Sequence, residues 1–223
     1  MQFTGKLISF EGVDGCGKST QMALAAARLS QNGCVVVSTL EPGGTNVGRA
    51  IRELVLKSGA TELSPLAELA LMFAARAQHI SEVILPALNN GKVILCDRFT
   101  DSTVAYQGYG RGISFDLISV LEKTLIQGLR PDLTIVLDIP LAMAANRTVD
   151  RNRSAEESPT RFEIEGLDYF SRVREGYLEI SRLEPQRVRV IEGQGSVEEV
   201  QNKIDQCIDA FLMNQPQRTS NAV

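Results

Sequence analysis

The sequence predicts an α/β fold: one open parallel sheet with helices on both of its faces. Three observations support this prediction. Short apolar runs rich in β-branched residues alternate with stretches that carry apolar residues at helical spacing. Glycine-rich or polar segments follow several of these runs directly, where the ligand sites of such sheets lie. The length of 223 residues is that of one generous domain.

The apolar runs account for the strands. Each is short, largely uncharged and bounded by turn-forming or polar residues, as expected of a strand buried on both faces. Five strands are therefore predicted, at residues 6–10, 34–40, 93–96, 133–137 and 188–191.

Helical patterns fill the gaps between the runs. A helix over residues 19–31 ends at an Asn-Gly pair, and Ser64 caps a long helix that continues to about residue 90, with Pro86 as a candidate kink. Ser114 begins another helix, and Ser196 with Glu199 forms a capping box for the last one. One domain over residues 1–213 is expected, followed by a polar, disordered tail at 214–223.

Composition excludes several classes of protein. A chain that is 43% apolar and 22% charged is not intrinsically disordered, and no apolar run is long enough to cross a bilayer or to act as a signal peptide. A net charge of −4 argues against a broad nucleic-acid-binding face. Four scattered cysteines and one histidine do not make a zinc site, and reduced thiols indicate a cytoplasmic protein.

A phosphate-binding loop follows the first predicted strand. The segment Gly12-Val13-Asp14-Gly15-Cys16-Gly17-Lys18-Ser19, followed by Thr20, matches G-x-x-x-x-G-K-S between a strand and a helix. Its glycines let backbone N–H groups curl around an anion at a helix N-terminus. Lys18 reaches the β- and γ-phosphates, and the Ser19 hydroxyl is a ligand for Mg²⁺. The chain is therefore expected to bind a nucleoside triphosphate.

Carboxylates near this loop need a cation or a donor. Asp14 lies inside the loop and should face Mg²⁺, an arginine or a hydroxyl of a second substrate. Two runs end in aspartate, at Asp97 and Asp138, and either can be the Mg²⁺ partner beyond the loop. Asp138 precedes a proline and is the better candidate for a simple turn residue.

The segment Asn202-Lys203-Ile204-Asp205 matches N-K-x-D, the string that specifies guanine in GTPases. The string lies inside the helical pattern that begins at Ser196, whereas a guanine-reading motif should follow a buried strand. We interpret it as a chance match.

A second anion site is indicated by the loops after the second and third runs. Glu41-Pro42-Gly43-Gly44-Thr45 is followed by Arg49 and Arg52, and Asp97-Arg98-Phe99 is followed by Ser102, Thr103, Tyr106 and Gln107. On the long helix, Phe73 and Arg76 share a face at i and i+3, so they offer a stacking ring and a guanidinium together. Core packing is the competing interpretation of Phe73.

The motifs Glu41-Pro42-Gly43-Gly44-Thr45, Asp97-Arg98-Phe99 and Ala105-Tyr106-Gln107-Gly108, in this order and spacing, resemble the thymidylate kinase family. The resemblance runs over nearly the whole chain. It implies the nucleoside-monophosphate-kinase version of the P-loop NTPase fold, with a five-stranded parallel sheet and a short lid. It implies that the protein transfers a phosphoryl group from Mg²⁺-bound ATP to dTMP. A homodimer is expected, and no nucleic-acid or membrane partner is expected.

The resemblance also implies roles for residues at matching positions. ATP is expected on the phosphate loop, at Gly12, Val13, Asp14, Gly15, Cys16, Gly17, Lys18, Ser19 and Thr20. Phe73 is expected to stack on thymine and Arg76 to bond its exocyclic oxygen. Further dTMP contacts are expected from Glu41, Pro42, Arg49, Arg98, Thr103, Tyr106 and Gln107, and metal contacts from Ser19, Asp97 and Glu11. Asp14 is expected near the sugar 3′-hydroxyl or the dTMP phosphate.

A lid is expected at about residues 147–163, where four arginines occur. An acidic residue in the phosphate loop goes, in bacterial-type members, with a catalytic arginine in the lid. The family's acidic residue before the lid-end arginine is Thr160 here, so the identity of the catalytic lid arginine stays open between Arg153, which is preferred, and Arg151. With Lys18, Arg98 and Asp14, these arginines form the predicted catalytic set.

Two alternatives remain open at this point. One is a kinase for another nucleotide or for a deoxynucleoside, and a nucleoside acceptor would need Glu11 as a general base. The other is a non-catalytic nucleotide switch, which the second anion site argues against.

Overall fold

The structure, a computed structural model, describes residues 3–57, 63–155 and 160–213. Within these ranges, five parallel strands form one sheet in the order β2-β3-β1-β4-β5. In this order β1 lies at the centre, where it pairs with β3 on one side and β4 on the other. The predicted α/β fold with a five-stranded parallel sheet is therefore confirmed. The predicted tail at 214–223 lies outside the described residues.

The strands coincide with the predicted apolar runs, with ends that differ by one or two residues. They are β1 (Lys6–Glu11), β2 (Val36–Leu40), β3 (Val93–Asp97), β4 (Leu133–Asp138) and β5 (Val188–Glu192). Four of the strands end in an acidic residue that lies one position beyond the predicted run, so those carboxylates lie at the carboxyl edge of the sheet.

Helices lie between successive strands in the chain, as parallel pairing requires. They are α1 (Lys18–Gln31), α2 (Asn46–Lys57), α3 (Pro65–His79), α4 (Leu85–Asn89), α5 (Thr100–Thr103), α6 (Phe115–Leu125), α7 (Leu141–Ala155), α8 (Leu167–Leu183) and α9 (Val197–Met213). The predicted caps are confirmed at two sites. Ser64 Oγ accepts from Ala67 N at 3.3 Å, and Ser196 and Glu199 bond each other's backbone N–H groups.

Two π-helical segments interrupt the helical stretches. Ile80–Ile84 joins α3 to α4, so the long predicted helix is continuous in direction but changes its hydrogen-bonding period before Pro86. Val104–Gly110 follows α5 and carries Tyr106 and Gln107. Such segments occur frequently at functional sites, and the second one lies at the carboxyl edge of β3.

The core forms two layers, one on each face of the sheet. Along β1, Ile8 and Phe10 pack into one layer and Leu7 into the other, as strand alternation requires. Helices α1, α8 and α9 cover the first layer, whereas α3 and α6 cover the second. Among the described helices, none combines the length and the apolar character that a membrane crossing needs.

Candidate active site

Two cavities open at the carboxyl edge of the sheet and meet at a belt of charged residues. The first has a volume of about 520 Å³ and contains the phosphate loop. The second has a volume of about 380 Å³ and lies between α3, the segment after β3 and the end of the predicted lid. Both cavities are lined by Asp14, Glu41, Arg52, Arg98 and Arg151. This edge can therefore hold two anionic ligands side by side.

The phosphate loop adopts the shape that its glycines predict. Gly17 has φ 103°, in the left-handed region, directly before α1 begins at Lys18. A Cβ on Gly15 would overlap with the carbonyl of Ala144, so only glycine fits against α7 there. Lys18 Nζ donates to the carbonyls of Gly12 and Val13, at 3.1 Å each. Of the predicted ATP contacts, Asp14 and every residue from Gly15 to Thr20 line the first cavity, while Gly12 and Val13 do not.

Two side chains with oxygen atoms suited to a hard metal ion lie together beside the loop. Ser19 Oγ donates to Asp97 Oδ2 at 2.9 Å, and both residues line the first cavity. The alternative, Asp138, instead receives both Nε and Nη2 of Arg174, at 2.6 and 2.7 Å. Of the two candidate aspartates, Asp97 is therefore the one placed next to the loop serine.

Arg98 lies at the boundary between the two cavities. Its backbone has φ 72°, an uncommon conformation for a residue with a side chain, and its N–H bonds the carbonyl of Phe10. Its Nη1 donates to Ser102 Oγ and to the Tyr177 hydroxyl, while its Nη2 donates to Asp14 Oδ1 at 2.8 Å and to the Tyr106 hydroxyl at 3.0 Å. The guanidinium also lies 4.7 Å from the centre of the Tyr106 ring. Four neighbours thus hold this side chain in one orientation.

Asp14 is the charge partner of Arg98 in the loop. Burial by itself would raise the pKa of this carboxyl, but the charges of Arg98 and Lys18 outweigh it and lower the pKa to about 2. Asp14 is therefore ionised at neutral pH, and the expectation that it faces an arginine agrees with this geometry.

Glu11 does not occupy the predicted position near a metal. It is fully buried at the end of β1, where Oε1 accepts from Phe99 N at 2.7 Å and Oε2 accepts from Ser102 Oγ and the Tyr177 hydroxyl at 2.5 and 3.0 Å. Both oxygens are thus engaged by donors behind Arg98, and the residue lines neither cavity. Burial and the nearby charge of Asp101 raise its pKa to about 7. The structure corrects this expectation, because Glu11 supports Arg98 from behind.

The second cavity contains the predicted polar contacts. Arg76 lines it together with Thr103, whose Oγ1 accepts from Arg76 Nη1 at 2.9 Å. Gln107 lines it too, and its Nε2 donates to the fully buried Glu68 at 2.7 Å. Glu68 also pairs with Arg111 and with Arg161. The chain alone gave no signal that a buried glutamate would hold Gln107, because the two residues meet only in the folded molecule.

Phe73 is not part of the second cavity. Its ring is 0% exposed and packs in the core layer beneath α3, with the Arg76 guanidinium 5.5 Å from the ring centre. Met72, the preceding residue, lines the cavity instead. The expectation that Phe73 stacks on a base is therefore wrong. Met72 and Phe73 precede Arg76 by four and three residues, so both are its neighbours on α3 and spacing alone left the choice between them open.

Arg49, expected to contact the acceptor phosphate, does not reach either cavity, and a neighbouring arginine lies there instead. Arg49 is exposed and bonds Asn46 on the same helix, and it lines neither cavity. Arg52, one turn later, lines both cavities and donates to the carbonyl of Pro42 at 3.1 Å. Burial and the charge of Arg98 lower the pKa of Arg52. The structure assigns to Arg52 the position expected for Arg49, because α2 begins at Asn46 and turns Arg49 outward.

The predicted lid begins as a continuous helix, α7. Arg147 and Arg151, one turn apart, line the first cavity, and Arg151 lines the second as well. Arg153, the preferred catalytic candidate, is exposed and lines neither cavity, so the structure favours Arg151. Residues 156–159 of the predicted lid lie outside the described residues.

Residues at the end of the predicted lid line the second cavity or bond residues that line it. Arg161 is buried against Glu68, so it cannot swing over a ligand. Glu163 accepts from Arg151 Nη2 at 2.5 Å and thereby holds that arginine over the cavities. Phe162 lines the second cavity and packs edge-on against the Tyr106 ring, a role that sequence spacing did not predict.

Comparison with known proteins gives one consistent result. The family model described as thymidylate kinase matches residues 10–204. A thymidylate kinase of Geobacter sulfurreducens is 47% identical over 218 residues, which cover 96% of this chain and 100% of that protein. A thymidylate kinase of Pelobacter propionicus is 43% identical over 220 residues, covering 98% and 99%. The crystal structure of thymidylate kinase from Ehrlichia chaffeensis matches with a TM-score of 0.73 at 33% identity, covering 92% of this chain and 98% of that one.

Proposed function

This chain belongs to the thymidylate kinase family, and we propose that its two cavities bind ATP and dTMP and transfer the γ-phosphoryl group between them, giving ADP and dTDP. The observation that supports this most is the shared belt. Arg52, Arg98 and Arg151 line both cavities together with Asp14 and Glu41, so three cationic groups lie where the donor and acceptor phosphates would meet.

The phosphates of ATP are assigned to the first cavity. Backbone N–H groups of the glycine-rich loop and the start of α1 offer donors to an anion there. Lys18 now bonds two loop carbonyls, and a phosphate oxygen is a stronger, charged partner for the same ammonium group. Lys18 thus neutralises charge on the donor side.

Arg98 is assigned to the phosphates that react. Three of its partners are neutral hydroxyls, at Ser102, Tyr106 and Tyr177, which phosphate oxygens can replace without leaving a charge unpaired. Asp14 and the support from behind keep the guanidinium oriented before the substrates arrive, so little reorganisation is needed in the transition state. Arg52 and Arg151 add positive charge near Arg98, since they line the same two cavities.

No general base is required for this reaction. The nucleophile is a phosphate oxygen, and the second pKa of a phosphate monoester is about 6, so the oxygen is already largely ionised at neutral pH. Catalysis then consists of holding two polyanions in line and neutralising their charge. A deoxynucleoside acceptor would need a base, and Glu11 is enclosed by its own donors.

Mg²⁺ is the metal that the site fits. The Ser19 hydroxyl and the Asp97 carboxylate are hard oxygen ligands 2.9 Å apart beside the loop, which suits an ion shared with ATP phosphates. When bound, Mg²⁺ would neutralise phosphate charge and fix the geometry of ATP. Within the described ranges, no group of three or more His, Cys, Asp or Glu residues is arranged to enclose a metal ion.

The base of dTMP is assigned to the inner part of the second cavity. Arg76 offers N–H groups to a carbonyl oxygen, and Thr103 and Gln107 lie beside it. Met72 and Phe162 supply apolar surface for the faces of a planar ring. The 5-methyl group contributes only about 1–3 kcal/mol of discrimination in an apolar pocket, so slow use of dUMP is expected.

Family membership also supports proposals on the domain boundaries, the lid and the oligomeric state. We infer one nucleoside-monophosphate-kinase domain over residues 1–213, in which the segment around 147–163 acts as a lid. We also propose a homodimer, because α6 exposes four large apolar side chains, those of Phe115, Leu117, Val120 and Leu125. The four described cysteines are free thiols, which supports a cytoplasmic location.

The test is ADP formation from ATP and Mg²⁺ with dTMP, dUMP, dCMP, AMP and thymidine as separate acceptors, repeated with EDTA. Strong stimulation by dTMP, weaker stimulation by dUMP and loss of turnover with EDTA are expected. Preference for another monophosphate would contradict the assignment of the base site. Slow ATP hydrolysis that no acceptor stimulates would indicate a nucleotide switch.

A further inference from the structure

We propose that His79, the only histidine of the chain, is a positioning residue that holds the Arg76 guanidinium in the base site by clamping Glu41. The proposal rests on the proposed function and extends it, since it says how the group that reads the base is kept in place.

Arg76 and His79 grip the same carboxylate from two sides. They lie three residues apart on α3, and both bond Glu41, which follows β2. Arg76 Nε is 2.6 Å from Oε2 and His79 Nδ1 is 2.8 Å from Oε1. The three side chains are each 2–3% exposed. Water therefore does not compete for these bonds, and each oxygen of Glu41 depends on one protein donor.

The bonding pattern sets the direction of each hydrogen bond. An ionised carboxylate only accepts, so Nδ1 of His79 carries a proton. In the neutral ring Nε2 then accepts from the Thr39 hydroxyl, at 2.7 Å. Thr39, His79 and Glu41 form a buried chain that ends on Arg76, and low local polarity strengthens each bond in such a chain.

The histidine ring also fits closely against the loop that carries Glu41. A Cβ on Gly44 would overlap with His79 Nε2 and lie 2.6 Å from Thr39 Oγ1. The absence of a side chain at Gly44 therefore gives the imidazole its place beside Thr39. The ring thus lies between Thr39 and Glu41 and bonds both of them.

The position of Arg76 matters because two of its N–H groups are not hydrogen-bonded to the described part of the protein and can donate to a ligand. Its Nε, Nη1 and Nη2 each donate one bond, to Glu41, Thr103 Oγ1 and the carbonyl of Phe99. A guanidinium has five N–H groups, so one remains on each Nη atom. A base with a carbonyl oxygen at position 4 accepts from them, whereas the amino group of cytosine presents another donor. Correct placement of Arg76 thus favours dTMP over dCMP.

Loss of the imidazole would leave Glu41 Oε1 buried without a donor. Such an oxygen is costly, and the carboxylate would turn to find another partner. Because Arg76 Nε is bonded to the other oxygen, the guanidinium would shift with it. The expected result is weaker dTMP binding and poorer discrimination against dCMP, with the ATP side unaffected.

The experiment compares His79→Ala, His79→Asn and Thr39→Val with wild type. Each is assayed for kcat, for KM of dTMP and ATP, and for the ratio of kcat/KM with dTMP to that with dCMP. Ser9→Ala is the matched control, since it removes another buried side-chain hydrogen bond, the 2.9 Å bond to Thr134, outside the site. Melting temperatures separate stability from specificity.

His79→Ala is expected to raise KM for dTMP about 10-fold and to lower the dTMP/dCMP ratio similarly, with KM for ATP within about 2-fold. His79→Asn is expected to recover most of the ratio, because its amide N–H can replace Nδ1. Thr39→Val, which keeps the volume, is expected to lower the ratio about 3-fold. Ser9→Ala should lower the melting temperature and leave the ratio unchanged.

The proposal is overturned if folded His79→Ala keeps the wild-type ratio, or if Ser9→Ala changes the ratio as much. If His79→Ala does not fold, an unchanged ratio in Thr39→Val overturns it. Failure of the proposed function is a separate result, because it would appear in the wild-type protein as absent stimulation by dTMP.

Discussion

Arg98 Nη2 lies 2.8 Å from Asp14 Oδ1, and this ion pair joins the end of β3 to the phosphate loop that follows β1. The two strands are paired neighbours, with Phe10 opposite Asp97, so the pair spans the carboxyl edge of the sheet at its centre. It also lies where the two cavities meet. The ion pair thus links the phosphate loop, which we assign to the donor, directly to Arg98, which we assign to the reacting phosphates.

Arg98→Ala is expected to lower turnover by about 10³–10⁵-fold, because it removes the guanidinium assigned to the reacting phosphates. Binding of ATP should largely survive, since the loop and Lys18 remain. The measurement is kcat at saturating substrates, together with the Kd of a fluorescent ATP analogue. Arg98→Lys retains the charge without the planar fork and should be intermediate. Wild-type turnover in Arg98→Ala would remove this residue from the mechanism.

Arg151→Ala is expected to lower kcat about 10²-fold or more, because Arg151 lines both cavities and is held there by Glu163. Arg153→Ala is the matched control on the same helix, since that side chain is exposed and lines neither cavity. It should stay within about 2-fold of wild type. Steady-state kinetics of the two variants, side by side, decide which arginine acts. A larger loss in Arg153→Ala would restore the original assignment.

Met72→Ala is expected to raise KM for dTMP several-fold with little loss of stability, because Met72 lines the second cavity. Phe73→Leu is expected to lower stability and to leave KM for dTMP almost unchanged. The substitution removes part of a fully buried ring, so the unfolding free energy is expected to fall by about 1–2 kcal/mol. Urea unfolding and steady-state kinetics on both variants test whether Met72 contacts dTMP and Phe73 serves the core. A dTMP effect confined to Phe73→Leu would contradict the cavity assignment.

Glu11 should make stability depend on pH. Its pKa rises from the ordinary 4.5 to about 7 in the folded protein. Between these values the folded state holds a proton that the unfolded state has lost, so the unfolding free energy falls as pH rises and levels off above about 7. The shift corresponds to at most about 3 kcal/mol.

Glu11→Gln removes this titration and keeps an acceptor for Phe99 N. Urea unfolding at pH 5 and pH 8 should therefore show a smaller loss of stability at the higher pH in the variant than in wild type. An equal loss in the two proteins would mean that Glu11 titrates normally.

Val120→Glu is expected to convert the proposed dimer to a monomer, because it places a charge on the exposed apolar face of α6. The mass of each protein in solution, from sedimentation or light scattering, is the measurement. Lys123→Glu is a control on the same helix that changes charge without touching an apolar side chain. A monomeric wild-type protein would contradict the dimer.

Much of the fold could be predicted because its signals are local. Five apolar runs became five strands, and the caps at Ser64 and Ser196 were confirmed by their own hydrogen bonds. The phosphate loop could be predicted for the same reason, because its residues are consecutive and its glycines, lysine and serine have defined tasks. Strand ends then indicated where the remaining polar residues would gather.

The choice between neighbouring residues on one helix needed the tertiary structure. Met72 or Phe73, Arg52 or Arg49, and Arg151 or Arg153 differ only by rotation about a helix axis. That rotation is set by what each helix packs against, and spacing alone leaves more than one face possible.

The sequence by itself therefore determined the α/β class, the nucleotide loop and the family to which the chain belongs, since all three depend on contiguous motifs and their order. Only the tertiary structure decided which side chains face the ligands and which support them. Glu11, Glu41, Glu68 and His79 meet their partners across 35 to 166 residues of chain, from Glu41 with Arg76 to Glu11 with Tyr177. Buried charges need such partners, and the fold of the whole chain is what brings them together.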